Sequence, residues 1–592
     1  MQPRWGSDYL AQLIRITGVR YLALNPGASF RGIHDSLVNF LGNQAPSVLL
    51  CLHEEHAVAI AQGYAKACGE PMGVFLHSNV GLLHAAMALF NAWCDRVPML
   101  VFGATGPVDA ARRRPWIDWI HTVPDQGGLV RAYLKWDDQP ASLAAASESV
   151  MRANLLTRTR PQAPVYVCFD AAMQEQEFAS FPPLPVAERF RPPQAPLPNG
   201  QTIRDAASIL CAGRKPLILA GRVSRSVEAW RQRVELAEWL GARVLTDLKT
   251  AAAFPSNHPL HAGPPGAFLT SPQIAAIQEA DVLLDLNWIS LAGALGQACP
   301  DASHGTLIQV SDDLLLHRAS SLDHHGLPAV DLHLCGAPDD VLPALLHEVK
   351  RCLGQPRVRH LEPVDAPPAM PSGTTLDNEG FARTIVHSLH GVAHTLARLN
   401  IGWPGHVGRI SHPMDYLGND AGGGVGSGLG NVIGTALALH DGPRITVGVL
   451  GDGDFMMGNS ALWTACHYRI PLLLVIANNR SFYNDELHQE QVALARGRPV
   501  ANKWIGQSIR DPELDLLGVA RAQGAQTFGP VHCPMQLRDA IHAAIAQVRD
   551  GRACVIDARV DPGYDEGMQA GMLGRTARAC QPPVSSRLNS HS

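Results

Sequence analysis

The 592-residue chain has few charged side chains, no basic excess and no long apolar run. Charged residues make up 17% of it and its net charge is −5, so nucleic acid is not expected as a partner. No stretch reaches the roughly 18 uninterrupted apolar residues of a membrane span. The opening MQPRWGSDYLAQLI has no signal-peptide apolar run. We therefore expect no membrane partner and a cytoplasmic location.

The twelve cysteines stand singly between Cys51 and Cys580 and form no C-x-x-C pair. In a long chain this spacing predicts buried apolar thiols in a reducing compartment. Apolar residues make up 46% of the sequence, which is enough for several cores. The low charged fraction indicates that part of the surface is buried again, between domains or between subunits.

Two proline-rich stretches, 181–200 and 359–375, divide the chain. Both contain too much proline for a helix or a central strand, and we interpret them as linkers. The length allows about three to four domains of ordinary size. The predicted organisation is one domain over 1–180, a second over 200–355, a third over 375–570 and a disordered tail over 571–592.

Each block alternates short apolar runs with longer helical patterns. This alternation predicts an α/β fold with three doubly wound parallel-sheet domains. Ligands of such sheets bind outside the carboxyl ends of the strands. The predicted strands are PSVLLCL, MGVFLHS, PMLVFGA and APVYVCF in the first block, KPLILAG, ARVLTD, DVLLDL and TLIQVS in the second, and ITVGVLGD, IPLLLVIAN and ACVIDAR in the third.

Polar side chains follow two neighbouring predicted strands of the third block. The sequence Gly451-Asp452-Gly453-Asp454 comes directly after one apolar run, and Asn478-Asn479 ends the next. One strand–helix–strand crossover would bring Asp452 and Asn479 to the same sheet edge. A carboxylate oxygen and an amide oxygen suit Mg²⁺, with phosphate oxygens and water completing an octahedron. Gly453 would let a phosphate approach the backbone, and the N–H groups that open the next helix favour negative charge.

This spacing resembles the diphosphate-binding motif of the thiamine diphosphate-dependent enzymes, a family that includes pyruvate decarboxylase, acetolactate synthase and benzoylformate decarboxylase. The resemblance covers nearly the whole chain, because these enzymes have a pyrimidine-binding, a central and a diphosphate-binding domain in that order. It implies thiamine diphosphate and Mg²⁺ as cofactors. It also implies that an active site lies between the first and third domains of two different subunits.

The resemblance assigns roles to the residues of the third block. It implies that Asp452 and Asn479 bind the metal through their side chains. Ser481, where many relatives have glycine, would bind the metal through its backbone carbonyl. The residues implied in cofactor binding at this motif are Gly451, Gly453, Asp454 and Asn479.

The sequence HEEHAVAIAQGYAKA (53–67) resembles the family's helix that carries the cofactor glutamate. Alignment on Gly63-Tyr64-Ala65 implies that Glu54 acts on N1′ of the pyrimidine ring and so promotes deprotonation of C2. An acidic pair on a helix is most often solvated, and we keep that interpretation for Glu55.

A glycine-rich segment, NDAGGGVGSGLGNVIGTALAL (419–439), precedes the GDG motif. It resembles the segment that opens the family's diphosphate domain and supports the V-shaped cofactor. The resemblance implies that Val425 is the apolar wedge under the bend, where Met, Ile or Leu is common. It also implies that the Gly423 carbonyl accepts a hydrogen bond from the 4′-amino group.

Local similarity favours benzoylformate decarboxylase within the family. In its first matching segment a histidine is followed by a serine, which implies that His77 is the acid/base residue facing the substrate. The turn NPGAS (25–29) resembles one with a substrate-binding serine, but Ala28 occupies that position. We find no counterpart of that enzyme's second histidine in DLNWISLAG (285–293). The matching segments are 75–93, 133–142 and 460–471.

A further segment, RRRPWIDWIHTVPDQGGL (112–129), resembles pyruvate decarboxylase in its His-Thr pair. It makes His121 a second polar candidate for the substrate site and Gln126 a weaker one. Trp116 and Trp119 are expected in the core, with the lining of a substrate entrance as the alternative.

The resemblance implies a thiamine diphosphate- and Mg²⁺-dependent lyase that decarboxylates a 2-oxo acid through a C2-ylid and an enamine. The alternative is a carboligase of the acetolactate synthase or benzaldehyde lyase type, with an aldehyde as acceptor. A non-catalytic cofactor-binding homologue is a remote alternative, because Glu54, Asp452 and Asn479 are all present. The central block has no Gly-x-Gly-x-x-Gly after a strand, so no flavin is expected. The implied assembly is a homodimer or homotetramer.

Overall fold

The structure, a computed structural model, describes residues 2–315, 326–358, 368–419, 422–564 and 568. The tail predicted over 571–592 lies outside these residues. Within the described chain the strands form three sheets of six, five and five strands, and every ladder between named strands is parallel. Helices accompany each sheet, which confirms the predicted α/β class.

The first domain carries the six-stranded sheet. Its strands are β1 (Tyr21–Leu24), β2 (Ser47–Leu50), β3 (Met72–His77), β4 (Met99–Thr105), β5 (Trp136–Asp138) and β6 (Pro164–Asp170). Its helices are α1 (Gly6–Ile16), α2 (Arg31–Asp35), α3 (Glu54–Cys68), α4 (Ser78–His84), α5 (Ala86–Cys94), α6 (Leu143–Arg158) and α7 (Ala171–Gln174). The order β2-β1-β3-β4-β6-β5 places β3 and β4 in the middle, where their apolar residues are buried.

The second domain carries a five-stranded sheet. Its strands are β7 (Pro216–Ala220), β8 (Arg243–Thr246), β9 (Val282–Leu286), β10 (Thr306–Ser311) and β11 (Leu332–Cys335). They are arranged in the order β11-β10-β9-β7-β8, so β9 lies in the middle of the sheet. The helices of this domain are α8 (Gly200–Ala212), α9 (Val227–Leu240), α10 (Ser271–Glu279), α11 (Leu291–Ala298) and α12 (Pro338–Leu353).

The third domain carries the other five-stranded sheet. Its strands are β12 (His394–Arg398), β13 (Ile445–Gly451), β14 (Leu472–Asn478), β15 (Gln526–Val531) and β16 (Ala553–Arg559). Its helices are α13 (Asn378–Ser388), α14 (Gly428–Leu439), α15 (Asp452–Gly458), α16 (Ala461–His467), α17 (Tyr483–Ala495), α18 (Leu516–Ala522) and α19 (Pro534–Arg549). The order β12-β13-β14-β16-β15 pairs β13 with β14, so their carboxyl ends lie side by side.

Helices α3 and α14 join the first domain to the third. They approach so closely that a β-carbon on Gly434 would lie 1.9 Å from the Ile60 carbonyl oxygen. A β-carbon on Gly63 would lie 2.0 Å from the Asn431 carbonyl oxygen. Glycine is therefore required on both helices. Apolar side chains of both domains extend this contact into one buried cluster.

Each of the strands predicted from apolar runs is present. The strands that the pattern missed are short or lie at sheet edges, where one side of the strand is less covered and polar residues are tolerated. They are β1, β5, β11, β12 and β15. The edge strand β15 shows why the pattern fails, since its sequence QTFGPV contains glycine and proline and its register shifts.

The cysteines follow the expectation of buried thiols in part. Several thiols are buried as predicted, but Cys68 and Cys352 are exposed, because both stand near the ends of helices. Among the described residues, no helix combines the length and the apolar character needed to cross a membrane.

Candidate active site

Glu54 begins helix α3 in the first domain. His53 caps this helix, and its Nδ1 accepts a hydrogen bond from the Glu55 amide at 3.1 Å. The Glu54 side chain is buried against Gly81 of α4, where a β-carbon would lie 3.1 Å from Oε1. The other carboxylate oxygen, Oε2, lies 3.0 Å from Nδ1 of His84. Helix α3 therefore presents one buried carboxylate that already has a partner on one oxygen.

Glu55 is half-buried, so the interpretation of a solvated side chain is wrong. Burial raises the pKa of its carboxyl group, and the charge of Asp454 raises it further. The next residue, His56, lies with Nε2 2.8 Å from Oγ of Ser460, so this part of α3 faces the third domain and loses solvent.

His77 ends strand β3, and its ring is half-buried. Its Nδ1 lies 2.9 Å from Oγ of Ser29, and the same Oγ accepts a hydrogen bond from the Ser78 amide at 3.2 Å. Because that amide occupies a lone pair of the oxygen, the Ser29 hydroxyl can donate its hydrogen to Nδ1. When the hydroxyl donates in this way, the neutral His77 ring carries its proton on Nε2.

His121 packs against His77 with ring centroids 4.5 Å apart and planes at 80°. Burial and, to a smaller extent, the neighbouring His121 lower the pKa of His77 to about 4. Burial also lowers the pKa of His121, which Asp118 opposes. Both rings are therefore neutral near pH 7. Nδ1 of His121 is buried and has no hydrogen-bond partner within the described chain.

The segment 112–129 also contains the candidates Gln126, Trp116 and Trp119. Gln126 is fully buried, and its Nε2 donates to the Ala104 carbonyl at 3.2 Å and to the Tyr166 hydroxyl at 2.8 Å. It therefore belongs to the core of the first domain. Trp116 and Trp119 are 70% and 67% exposed, so the core interpretation is wrong for both. The physical reason is that the connection from β4 to β5 runs over the surface as turns.

Asp452 follows β13 directly and opens helix α15. Its carboxylate is buried, with Oδ1 accepting from the Gly453 amide at 2.9 Å and Oδ2 from the Arg480 amide at 2.6 Å. Burial raises the pKa of Asp452 to about 6, because these neutral amides only partly offset the loss of water. The hydrogen bond from Arg480 also ties the end of β13 to the loop that follows β14.

The loop after β14 turns at Arg480, whose φ of +62° lies in the left-handed region. Within the turn, Oδ1 of Asn479 accepts a hydrogen bond from the Ser481 amide at 3.0 Å. The Ser481 hydroxyl donates to the Glu486 carboxylate. The left-handed residue is thus Arg480 rather than Ser481, which explains why a side chain is tolerated at a position where glycine is common. Ser481 and Ser508 face each other in an isolated antiparallel β-bridge. The flanking residues make its hydrogen bonds, so the Ser481 carbonyl takes no part in it.

The two glycines of the GDG motif have different surroundings. A β-carbon on Gly453 would lie 2.6 Å from the ring of Phe482, so glycine is required there by Phe482 and not by a phosphate alone. At Gly451, no atom of the described chain lies within 4 Å of that position. The backbone at the end of β13 is therefore open on the side of Gly451.

The glycine-rich segment is held in a defined conformation. Gly423 has a φ of +71° with open space where a β-carbon would stand, and Val425 beside it is half-buried. Asp454 fixes the segment, because its Oδ1 accepts from the Gly426 amide at 2.7 Å and its Oδ2 lies 3.7 Å from the Arg398 guanidinium. The Asp454 carboxylate thus contacts the glycine-rich segment, which would in turn support a bound ligand.

The domains of known families match the chain in the order of its sheets. Residues 4–129 match the thiamine pyrophosphate enzyme N-terminal TPP binding domain, residues 203–345 the central domain, and residues 401–558 the C-terminal TPP binding domain. The chain belongs to the thiamine pyrophosphate enzymes. Its cofactor is therefore thiamine diphosphate, and the resemblance based on the GDG and HEEH sequences is confirmed.

Individual members of the thiamine pyrophosphate enzymes resemble this one over most of its length. It is 26% identical to benzoylformate decarboxylase of Pseudomonas aeruginosa, over 81% of this chain and 86% of that protein. It is 24% identical to the acetolactate synthase isozyme 3 large subunit of Escherichia coli K12, over 94% and 95%. A solved benzoylformate decarboxylase from Polynucleobacter necessarius superposes with a TM-score of 0.76 at 21% identity, covering 95% and 100%, and supports the fold alone.

The third domain of this thiamine pyrophosphate enzyme fits a divalent cation and a diphosphate. Asp452 offers a buried carboxylate whose partners are neutral, and Asn479 and the Ser481 carbonyl lie on the loop bonded to it. These are hard oxygen donors, which Mg²⁺ prefers. The open backbone at Gly451 leaves room for phosphate oxygens beside them.

Sequence reasoning missed two side chains of this site, Ser29 and His84. Ser29 stands one position after Ala28, where a serine was sought, and the sequence NPGAS contains that signal. His84 carries no comparable signal. It ends α4, and only the packing of α4 against the start of α3 brings it to Glu54.

Proposed function

We propose that this thiamine pyrophosphate enzyme is a Mg²⁺-dependent lyase that decarboxylates a 2-oxo acid. The observation that carries the proposal is the placement of His77 and Glu54 against one residue. A β-carbon on Gly81 would lie 3.1 Å from Oε1 of Glu54 and 3.3 Å from Cβ of His77. A carboxylate that could act on the cofactor and an imidazole that could act on the substrate thus both lie against helix α4.

In the proposed site, residues of the first and third domains bind different parts of the cofactor. Asp452, Asn479 and the Ser481 carbonyl would hold Mg²⁺, whose charge would neutralise that of the diphosphate. Glu54 exchanges a proton with N1′ of the pyrimidine ring. When bound, thiamine diphosphate supplies a nucleophilic C2 and an electron sink for the bond that breaks. The Gly423 carbonyl and Val425 support the cofactor between the two ends.

His77 is proposed to act on the substrate. Its Nε2–H donates to the carboxylate of the bound 2-oxo acid, while Ser29 holds the opposite nitrogen. An anionic carboxylate next to Nε2 favours the protonated ring, so substrate binding would reverse the effect of burial on the pKa of His77. The ring can then supply the proton that replaces CO₂ in the aldehyde product. His121, with its ring centroid 4.5 Å from that of His77, is the second polar group at this end.

A carboligase is the second candidate function. The acetolactate synthase subunit of Escherichia coli aligns over 94% of this chain, more than the decarboxylase of Pseudomonas aeruginosa does. Ala28 also removes the serine that the resemblance places against the substrate. In this reaction the fragment left after loss of CO₂ adds to an aldehyde or to a second 2-oxo acid, and no proton from His77 replaces CO₂.

The experiment that separates these functions is a product survey. Purified enzyme with thiamine diphosphate and Mg²⁺ is incubated with aromatic and aliphatic 2-oxo acids, with and without an added aldehyde, and the products are identified by NMR. A lyase gives the aldehyde and CO₂ in equal amounts. A carboligase gives a 2-hydroxy ketone or a 2-hydroxy-2-alkyl oxo acid. Formation of neither product from any substrate would refute both functions.

We also propose that the active enzyme is a homodimer or a dimer of dimers. Apolar side chains close to Glu54 are exposed in the single chain, among them Leu52 at 46% and Leu83 of α4 at 53%. Met457 of α15 is 59% exposed close to the GDG motif. A second copy that covers both surfaces would bring Glu54 of one subunit towards Asp452 of the other.

A further inference from the structure

Glu54 has an imidazole partner that the proposed reaction does not use. Nδ1 of His84 lies 3.0 Å from Oε2, whereas Gly81 lies against Oε1. The Glu54 side chain is 7% exposed, whereas that of His84 is 51% exposed. A hydrogen bond from a ring that can carry charge stabilises a buried carboxylate more than a neutral donor does.

The position of the His84 ring is itself determined by its neighbours. It stacks on His53, with centroids 5.1 Å apart and planes at 19°. His53 is held in turn by the hydrogen bond through which its Nδ1 caps α3. Three consecutive contacts thus run from the start of α3 through two rings and back to the carboxylate of Glu54. Such a closed set of contacts leaves His84 little freedom to turn away.

We propose that His84 is a positioning residue for Glu54. It donates Nδ1–H to Oε2 and so directs the remaining oxygen, Oε1, to N1′ of the bound cofactor. The inference rests on the proposed role of Glu54.

Other titratable groups face Glu54 and must be considered. His53 precedes it on α3, Glu55 follows it, and His77 approaches from the end of β3. Burial lowers the pKa of His53 and of His77, so both rings are neutral around pH 7. Of these neighbours, His84 makes the direct contact with the Glu54 carboxylate.

A metal site is the competing interpretation of these residues. Ligand atoms of His53, Glu54 and His84 lie within 4.8 Å of one another. However, Nδ1 of His53 is engaged in the helix cap. The two stacked ring planes are also nearly parallel, so an ion in the plane of one ring would lie outside the plane of the other. The geometry therefore favours a carboxylate held by a ring over a shared metal ion.

The test compares His84→Ala with His84→Asn in the full-length enzyme. The matched control is His440→Asn, which changes a histidine directly after α14. The first measurement is the dissociation constant of thiamine diphosphate, from quenching of intrinsic fluorescence. The second is the rate of C2 hydrogen exchange of the bound cofactor in deuterated buffer at neutral pH without substrate. Melting temperatures report whether each variant folds.

We expect His84→Ala to slow exchange about tenfold, the effect of losing one strong hydrogen bond, with unchanged cofactor affinity and melting temperature. His84→Asn should restore most of the rate at neutral pH, because its amide can donate to Oε2. His440→Asn should exchange at the wild-type rate.

Three results would overturn the inference. One is exchange at the wild-type rate in His84→Ala. Another is a loss of cofactor affinity or melting temperature that accounts for the slower exchange, since that would make His84 merely structural. The third is stoichiometric binding of Zn²⁺ by the cofactor-free protein that His84→Ala abolishes. If the proposed role of Glu54 itself were wrong, the result would differ from these three: Glu54→Gln would exchange as fast as the wild type.

Discussion

Oγ of Ser29 lies 2.9 Å from Nδ1 of His77 and accepts a hydrogen bond from the Ser78 amide at 3.2 Å. The serine therefore has a fixed backbone donor on one side and a ring nitrogen on the other. In the neutral ring with its proton on Nε2, the serine hydroxyl donates its hydrogen to Nδ1. When the ring takes up a proton, rotation of the hydroxyl lets Oγ accept from Nδ1–H instead. Ser29 thus supports both charge states of His77.

Ser29→Ala should lower turnover of a good 2-oxo acid by about tenfold, because one hydrogen bond that orients the ring is lost. Cofactor affinity and C2 hydrogen exchange without substrate should not change, since Ser29 acts on the substrate end. Ala28→Ser is the matched variant, one position away, and combined with Ser29→Ala it should not restore turnover. Steady-state kinetics and exchange on the three variants check this. Restoration by the serine at position 28 would show that the turn, and not the Ser29–His77 contact, is what matters.

Asp452→Ala should abolish activity mainly through lost affinity for Mg²⁺ and thiamine diphosphate, because a diphosphate needs its charge neutralised. Excess cofactor and Mg²⁺ should restore part of the activity. Asp441→Ala, at an exposed position that pairs only with Arg20 in the described structure, is the control and should bind as the wild type does. Titration calorimetry at several Mg²⁺ concentrations measures the effect. Wild-type cofactor affinity in Asp452→Ala would contradict the role given to the GDG motif.

A site shared between subunits can be tested by mixing two inactive variants. Glu54→Gln and Asp452→Ala each destroy one half of every site in their own homodimer. If subunits exchange, half of the dimers become mixed and each has one intact site, so about a quarter of wild-type activity should return. Activity is measured after mixing and related to the oligomeric state from light scattering. Stable mixed dimers without any recovered activity would show that both residues serve a site within one chain.

Asp285 lies in β9, in the middle of the second sheet, and should make the stability of the chain fall as pH rises. It is fully buried, and burial raises its pKa from 3.8 to about 7. The folded chain therefore holds a proton that the unfolded chain has released above about pH 4. The stability gained from this group is complete below that pH and is lost as pH rises through about 7.

Asp285→Asn removes this dependence, because the amide carries no titrating proton and Gln309 can turn its own amide to match it. At pH 8 the variant should melt on the order of 2 °C or more above the wild type, and at pH 5 the two should be close. Melting temperatures over this range, from calorimetry, provide the check. A constant difference between the two proteins at every pH would contradict a titrating Asp285.

Much of the fold follows from apolar runs, because inner strands of parallel sheets are buried on both faces and their sequences show it. The same reasoning placed Asp452 and Asn479 at one sheet edge, and the hydrogen bond from the Arg480 amide to Asp452 joins the two ends. Edge strands such as β12, with the sequence HTLAR, lack that signal. The contact of His84 with Glu54 depends on how two helices pack, which no local pattern encodes.

Trp116 and Trp119 show the opposite error, an apolar pattern that predicts burial where the chain is exposed. Aromatic side chains favour burial on average, but these two stand in a surface connection, and Arg114 packs on the ring of Trp116 at 5.3 Å. A cation over an exposed indole compensates in part for its contact with water. Composition cannot distinguish this arrangement from a core position, because the path of a long connection depends on the domains that flank it.

Glu54 and His77 both lie against Gly81 but are proposed to act at different stages of the reaction. Glu54 is needed before any substrate binds, and His77 only afterwards. The most direct measurement is C2 hydrogen exchange of the bound cofactor in deuterated buffer without substrate, followed by quench-flow and NMR. Glu54→Gln should slow it by about 10²-fold or more, whereas His77→Ala should leave it nearly unchanged and lower turnover of a 2-oxo acid by about 10²-fold. Equal exchange defects in both variants, or none in Glu54→Gln, would contradict this division of roles.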